Sequence, residues 1–131
     1  MIEIPAGNIN AYENVYEALR REVKEECDLE ITNIIDHYRG PIRESKKRDK
    51  TFVFKPFLCQ QALQTNAGLP WIGFVFLCEV KGEPHLEPTE AKDPQWLTIA
   101  ELRQLIKTKP AKFFPIQLPV LEYFIRYWKN R

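Results

Sequence analysis

Two periodicities alternate along this chain, and each change of period marks an element. Residues 1–4 alternate apolar and polar side chains and stop at Pro5, as the end of a strand would. Over residues 12–27 the apolar side chains Val15, Ala18, Leu19 and Val23 recur at helical spacing, which predicts a helix. Residues 30–38 alternate again, with Ile31, Ile34 and Ile35 as their apolar content, and predict a strand. Residues 39–50 read as a polar loop carrying Arg39, Arg43, Lys46, Lys47, Arg48 and Lys50. Two runs rich in Phe, Val and Ile follow, residues 51–61 and 71–80, with Asn66-Ala67-Gly68 between them as a turn, so a β-hairpin is predicted. Residues 81–94 hold Gly82, Pro84, Pro88 and Pro94 and read as loop, and residues 95–97 as a short strand. Thr98 can cap a helix over residues 99–107, with Glu101 at its third position. Residues 117–128 predict a last amphipathic helix, with Val120, Leu121, Phe124 and Trp128 on one side. The order strand, helix, strands, helix, helix predicts an α/β fold, a mixed sheet with helices on both faces, in one domain spanning 1–131. Trp71, Phe74, Phe76 and Trp128 fall at strand or helix periodicity and are expected in the core.

The first helix carries its acids on an unusual side. At about 100° per residue, Val15, Leu19 and Val23 form a seam that also contains Glu22 and Glu26, with Glu25 on its flank. An ordinary amphipathic helix places carboxylates opposite the seam, in water. Acids gathered beside an apolar stripe lose hydration and repel one another unless a cation joins them. Mg²⁺ or Mn²⁺ suits such a group, because a hard cation takes carboxylate oxygens and keeps sites open for phosphate and water. The alternative is a solvated acidic face. Arg21 is expected to point away from the acids, toward Glu17 and Glu13, and to hold either one.

Composition narrows the function further. With 131 residues, 44% hydrophobic and 28% charged, the chain can bury a core of ordinary globular kind. A formal net charge of +1 exerts no global pull on nucleic acid or membrane, so no stable nucleic-acid complex is expected and anion binding must be local. Cys27, Cys59 and Cys78 show no metal-ligand spacing and are expected as free thiols in a reducing cytoplasm. No run approaches the roughly 18 apolar residues of a membrane span. His37 and His85 lack a partnered nucleophile at any recognisable spacing and read as structural.

The spacing of Gly7, Glu13, Arg21-Glu22-Val23-Lys24-Glu25-Glu26 and Leu29 closely resembles the Nudix box, residues 7–29, of the Nudix (MutT-like) hydrolases. Six such identities would coincide by chance on the order of 10⁻⁷ per starting position at typical residue frequencies. The resemblance implies an α/β/α sandwich and a Mg²⁺- or Mn²⁺-dependent pyrophosphohydrolase acting on a nucleotide, either a nucleoside triphosphate or an ADP-sugar-like molecule. It implies metal binding by Glu22, Glu25, Glu26 and the Ala6 carbonyl, with Glu13 and Arg21 orienting the helix and Glu25 positioning or deprotonating the attacking water. It also implies a further acid from a later loop, Glu90, with Glu87 as its competitor. Arg43 and Lys47 of the basic loop, and Gln117 at the start of the last helix, are the expected substrate contacts, with a solvated loop and an exposed amide as the alternatives. Three positions depart from the family's pattern. Asp28 stands at the late glycine, where a helix end often needs positive φ. Ala6-Gly7 replaces a Gly-Gly pair. The chain also begins almost inside the box, so the usual amino-terminal strands are expected to be lacking and an open sheet edge to invite a homodimer. A non-catalytic nucleotide- or protein-binding module on the same scaffold is the rival expectation.

Overall fold

The structure is a computed structural model describing residues 1–66, 68, 70–83 and 96–129. Its contacts divide the chain into two compact units, one of residues 1–29 and 82–131, the other of residues 30–81.

The first unit is built on helix α1 (Val15–Cys27). Asn14 sets its start: the Asn14 Oδ1 accepts from the N–H groups of Tyr16 and Glu17, and Glu17 Oε1 accepts from Asn14 N–H, a reciprocal capping box. Tyr12 lies at φ 65, so the helix predicted from residue 12 cannot begin there. Asp28 ends it in the left-handed region, φ 56, with its N–H donating to Lys24 O at 2.9 Å and its carboxylate 2.6 Å from Lys24 Nζ. Helix α2 (Ile99–Thr108) opens on the expected Thr98–Glu101 box. Trp96 and Leu97 do not extend into a strand, and Gln95 lies outside the described residues. Two 3₁₀ turns, Pro110–Lys112 and Pro115–Gln117, each led by proline, deliver the chain to helix α3 (Leu118–Lys129).

The core of this unit is Tyr16, Ala18, Val23, Leu29, Phe113, Val120 and Leu121. Tyr16 and Phe113 are the most enclosed, at 2% and 1% exposure, and each such side chain stabilises the fold by about 1.5–3 kcal/mol. The amino-terminal segment joins this core by one parallel bridge between Ile2 and Phe113. Ile2 N–H donates to Lys112 O at 2.6 Å and accepts at its carbonyl from Phe114 N–H at 2.9 Å. Pro115 cannot continue such a ladder. The Gln117 side chain takes its place, accepting from Ile4 N–H at 2.8 Å and donating to Ile4 O at 3.3 Å.

Among its described residues the second unit contains only antiparallel pairs. Strand β1 (Glu30–Ile35) pairs with β8 (Leu77–Lys81), and β6 (Leu58–Ala62) with β7 (Trp71–Val75). Two shorter ladders join β2 (Tyr38–Arg39) to β5 (Phe54–Lys55) and β3 (Arg43–Glu44) to β4 (Lys50–Thr51). The predicted hairpin is therefore present as β6–β7. Its two long runs are cut, by Pro56-Phe57 in the first and by Phe76 in the second, where the chain leaves β6 and takes up β1. Asp36, at φ 48, likewise breaks the strand predicted over residues 30–38. The α/β class stands. Among the described residues the strands form four two-stranded sheets, and their one parallel contact is the Ile2–Phe113 bridge.

The aromatic core expectation is corrected. Trp71, Phe74 and Trp128 are each 41–42% exposed, and Trp128 sits near the end of α3. Phe54 instead gathers Phe52, Phe74 and Phe76 around it, with ring centroids 5.6, 5.2 and 6.4 Å away. The three cysteines are free thiols, and among the described residues no helix is long and apolar enough to cross a membrane.

Candidate functional site

The acids of α1 are organised by a guanidinium. Arg21 Nε donates to Glu13 Oε2 at 2.8 Å and Nη2 to Glu13 Oε1 at 2.9 Å, a two-pronged pair across eight residues. Nη2 also donates to Asn8 O at 2.8 Å, and Nη1 donates to Glu22 Oε1 at 2.7 Å and to Glu25 Oε2 at 3.2 Å. All five N–H donors that a guanidinium offers are thus in use. Asn10 closes the loop from the other side, its N–H donating to Glu13 Oε1 at 3.0 Å. The segment 8–13 is thereby bound to the exposed flank of α1. The Arg21 hydrogen bonds, then that of Asn10 N–H, hold the Glu13 carboxyl down at about 2, and Glu13 and Glu22 in turn raise the Arg21 guanidinium.

This corrects the expected direction of Arg21. Helical phase places only the first carbons of a side chain, and a long arginine swings its head across the neighbouring turn. Arg21 therefore joins the acids and supplies the cation that their mutual repulsion calls for. Glu17, the other expected partner, is occupied with capping Asn14.

The acids differ in their access to water. The side chain of Glu22 is 19% exposed and that of Glu25 61%, while Glu26 is half-buried. Glu26 reaches back to the segment before the loop, where its Oε2 accepts from Ala6 N–H at 2.9 Å. Gly7 lies over Glu22 so closely that a Cβ built there would overlap the carboxyl group, so any side chain at this position would displace the end of Glu22. Burial and the neighbouring Glu26 charge raise the thiol of Cys27, at the end of the same helix.

The remaining expected contacts fall elsewhere. Arg43 lies on β3 and Lys47 in the turn after it, both exposed and both in the second unit. Gln117 is half-buried with both ends of its amide on the Ile4 backbone, a role that no local sequence signal announces. Glu90 and Glu87 lie outside the described residues. The Asn8 carbonyl and the Ala6 and Asn10 amides were equally hidden from sequence reading, since any residue can supply a backbone group.

The donor chemistry suits a hard divalent cation: three carboxylates within five residues, under a glycine that leaves Glu22 room. Their arrangement is not yet that of a metal cage. Among the described residues no three acids or other ligands converge on one point, because Glu22 and Glu25 each turn one oxygen to Arg21 and Glu26 turns one to Ala6. Glu22, Glu25 and Glu26 would hold the ion after a rotation of their side chains.

A search of curated proteins finds no match to the chain. The family model described as NUDIX domain matches residues 1–122. That span takes in the pinned loop, the acidic helix and the eight strands of the described residues, and the chain belongs to the Nudix family.

Proposed function

We propose that this chain is a pyrophosphohydrolase that cleaves a nucleoside diphosphate from a further group, with 1–131 acting as one catalytic domain. The Nudix family suggests phosphoanhydride hydrolysis in general. The observation that carries the finer reading is the clamp of Arg21 on Glu13, Glu22 and Glu25, beside a glycine shaped to the Glu22 carboxylate. Glu22, Glu25 and Glu26 would hold Mg²⁺ or Mn²⁺ with the Ala6 carbonyl, and Glu90 would add a further ligand. A divalent ion bound there polarises phosphate oxygens and lowers the pKa of a coordinated water. Glu25, the most exposed of the three acids, would position the attacking water or take its proton. Arg21 and Glu13 keep the loop and the helix in register, so that the carboxylates need little reorganisation when substrate arrives. The three free thiols support a reducing cytoplasm as the compartment, and a second copy of the chain is the proposed protein partner.

The test replaces Glu25 and Glu26 by Gln and follows product mass with Mg²⁺ over nucleoside triphosphates, ADP-ribose, dinucleoside polyphosphates and capped RNA. Turnover by the native chain and a loss of at least 10²-fold in each variant is the expected result. Equal turnover in all three proteins refutes the assigned roles. The rival reading is a binding module without catalysis, and one observation favours it: Arg21 already serves as the cation for two of the three acids. Calorimetric titration separates the two, since a chain that binds nucleotide but takes up no Mg²⁺ is the rival.

A further inference from the structure

The near-neutral charge of the whole chain conceals a strong local separation. Residues 39–55 contain seven cations, Arg39, Arg43, Lys46, Lys47, Arg48, Lys50 and Lys55, against two acids, Glu44 and Asp49. That segment carries +5 in a chain of net +1, so the rest is acidic. The loop expected there is in fact a ribbon. The β2–β5 and β3–β4 ladders are joined by Gly40 N–H donating to Val53 O at 2.8 Å, giving about 25 Å of two-stranded arm at roughly 3.3 Å per residue.

Its end is a built turn. Ser45 N–H donates to Asp49 O at 2.9 Å, and Arg48 N–H donates to Ser45 O at 3.0 Å. Ser45 Oγ accepts from Lys47 N–H at 3.2 Å and from Asp49 N–H at 3.1 Å. Arg48 occupies the left-handed region at φ 67, a position that favours Gly or Asn, and so presents a cation where a turn alone would prefer neither charge nor bulk. Asp49 Oδ2 accepts from Ser45 Oγ at 3.3 Å, and Glu44 stands opposite Lys50 in the ladder. Arg43, Lys46, Lys47, Arg48 and Lys50 are all exposed, and among the described residues none of them enters an ion pair. Five unneutralised cations on a rigid arm attract a polyanion.

We propose that this ribbon, residues 38–55, binds the backbone of single-stranded nucleic acid, with Tyr38 at its base as a stacking surface for a base. The charge pattern supplies the backbone contacts and the aromatic supplies sequence-tolerant stacking. Tyr38 is 55% exposed, opposite Lys55 in the ladder and next to Arg39. The placement of apolar groups distinguishes this partner from an anionic membrane. A membrane-seeking arm carries its apolar side chains where it enters the bilayer. Here residues 45–50 at the tip are wholly polar, and the exposed apolar side chains Tyr38, Ile42 and Val53 lie behind it along the arm. The low net charge of the chain restricts the contact to this arm, so binding is modest and strongly dependent on salt.

The experiment uses the full chain in EDTA, where metal-dependent turnover plays no part, and a fluorescein-labelled 20-nucleotide oligo(U) as probe. Anisotropy at a series of KCl concentrations gives the affinity and its salt slope. Single-strand binding contributes about 0.7 to the slope per phosphate neutralised, so the triple variant K46A/R48A/K50A is expected to lower the slope by about 2. Its affinity at low salt is expected to fall at least 10-fold. Tyr38→Leu is expected to weaken oligo(U) several-fold while leaving inorganic polyphosphate binding unchanged. Circular dichroism of the variants, whose changes lie on exposed positions, confirms that each is folded. Absence of oligo(U) binding at low salt, or a slope that the triple variant leaves unchanged, overturns the proposal. So does polyphosphate binding as tight as oligo(U), or capture by phosphatidylserine vesicles in preference to oligo(U). None of these outcomes touches hydrolysis, which is read separately with Mg²⁺ and free nucleotides.

Discussion

Replacing Gly7 by Ala separates the position of one carboxylate from the stability of the fold. Gly7 is exposed and needs no positive φ, so alanine can adopt its backbone, and the loss of unfolded-state freedom favours the folded chain by about 0.4–1 kcal/mol. The new methyl meets only the far end of the Glu22 side chain. That flexible end must retreat by more than about 1 Å to reach ordinary contact distance, and a displacement on the order of 1 Å at a catalytic group can cost about 10²-fold in rate. The retreat also disturbs the 2.7 Å hydrogen bond from Arg21 to Glu22. Gly7→Ala is therefore expected to melt within about 4 °C of the native chain while losing about 10²-fold in turnover of the best substrate. Thermal unfolding by circular dichroism and a phosphate-release assay with Mg²⁺ read the two effects. Full turnover in Gly7→Ala would show that the place of Glu22 does not matter to the chemistry. A fall in Tm beyond about 10 °C would show instead that the backbone, and not the side chain, absorbs the methyl.

Two further outcomes follow from the same geometry. The Glu13 carboxyl is held at about 2 in the fold against an ordinary 4.5, so the fold favours its charged form. Its contribution is complete above about pH 4.5 and disappears as pH falls through about 2, so stability declines with acidification in that window. Glu13→Gln is expected to flatten the plot of Tm against pH between 4.5 and 2, and an unchanged slope there contradicts the pairing with Arg21. Phe113→Ala empties a site that is 1% exposed and is expected to cost about 3–5 kcal/mol, read from the urea midpoint, with a loss under about 1 kcal/mol contradicting its place in the core.

What could be read from the sequence follows the range of each interaction. The three helices were legible because their apolar period and their caps are local, and Thr98 with Glu101 fixed α2 to the residue. The start of α1 was misplaced by three residues because Asn14 and Glu17, which spell a capping box, went unused as a signal. Strand pairing was less legible: a run of β-forming residues does not reveal that Phe76 is where one partner is exchanged for another. Tyr16 was missed as a core residue because its neighbours Val15 and Leu19 fit the helical seam as well as it does. In the site, residue types and spacing named Glu13, Arg21, Glu22, Glu25 and Glu26. The reach of the Arg21 head and the hold of Gln117 on Ile4, 113 residues away, depend on tertiary structure alone.

The division of the chain into a continuous unit inside a discontinuous one has a consequence for its synthesis. Residues 1–29 are made before the second unit, yet Phe113, Val120 and Leu121, which complete their core, are made after it. At about 5–20 residues per second, helix α1 waits roughly 4–17 s for Phe113, whereas the ladders of residues 30–81 need no later residue. Synthesis thus passes through an interval in which the acidic helix is made but has no floor to lie on, and the unit that carries the acids is completed after the one inserted into it.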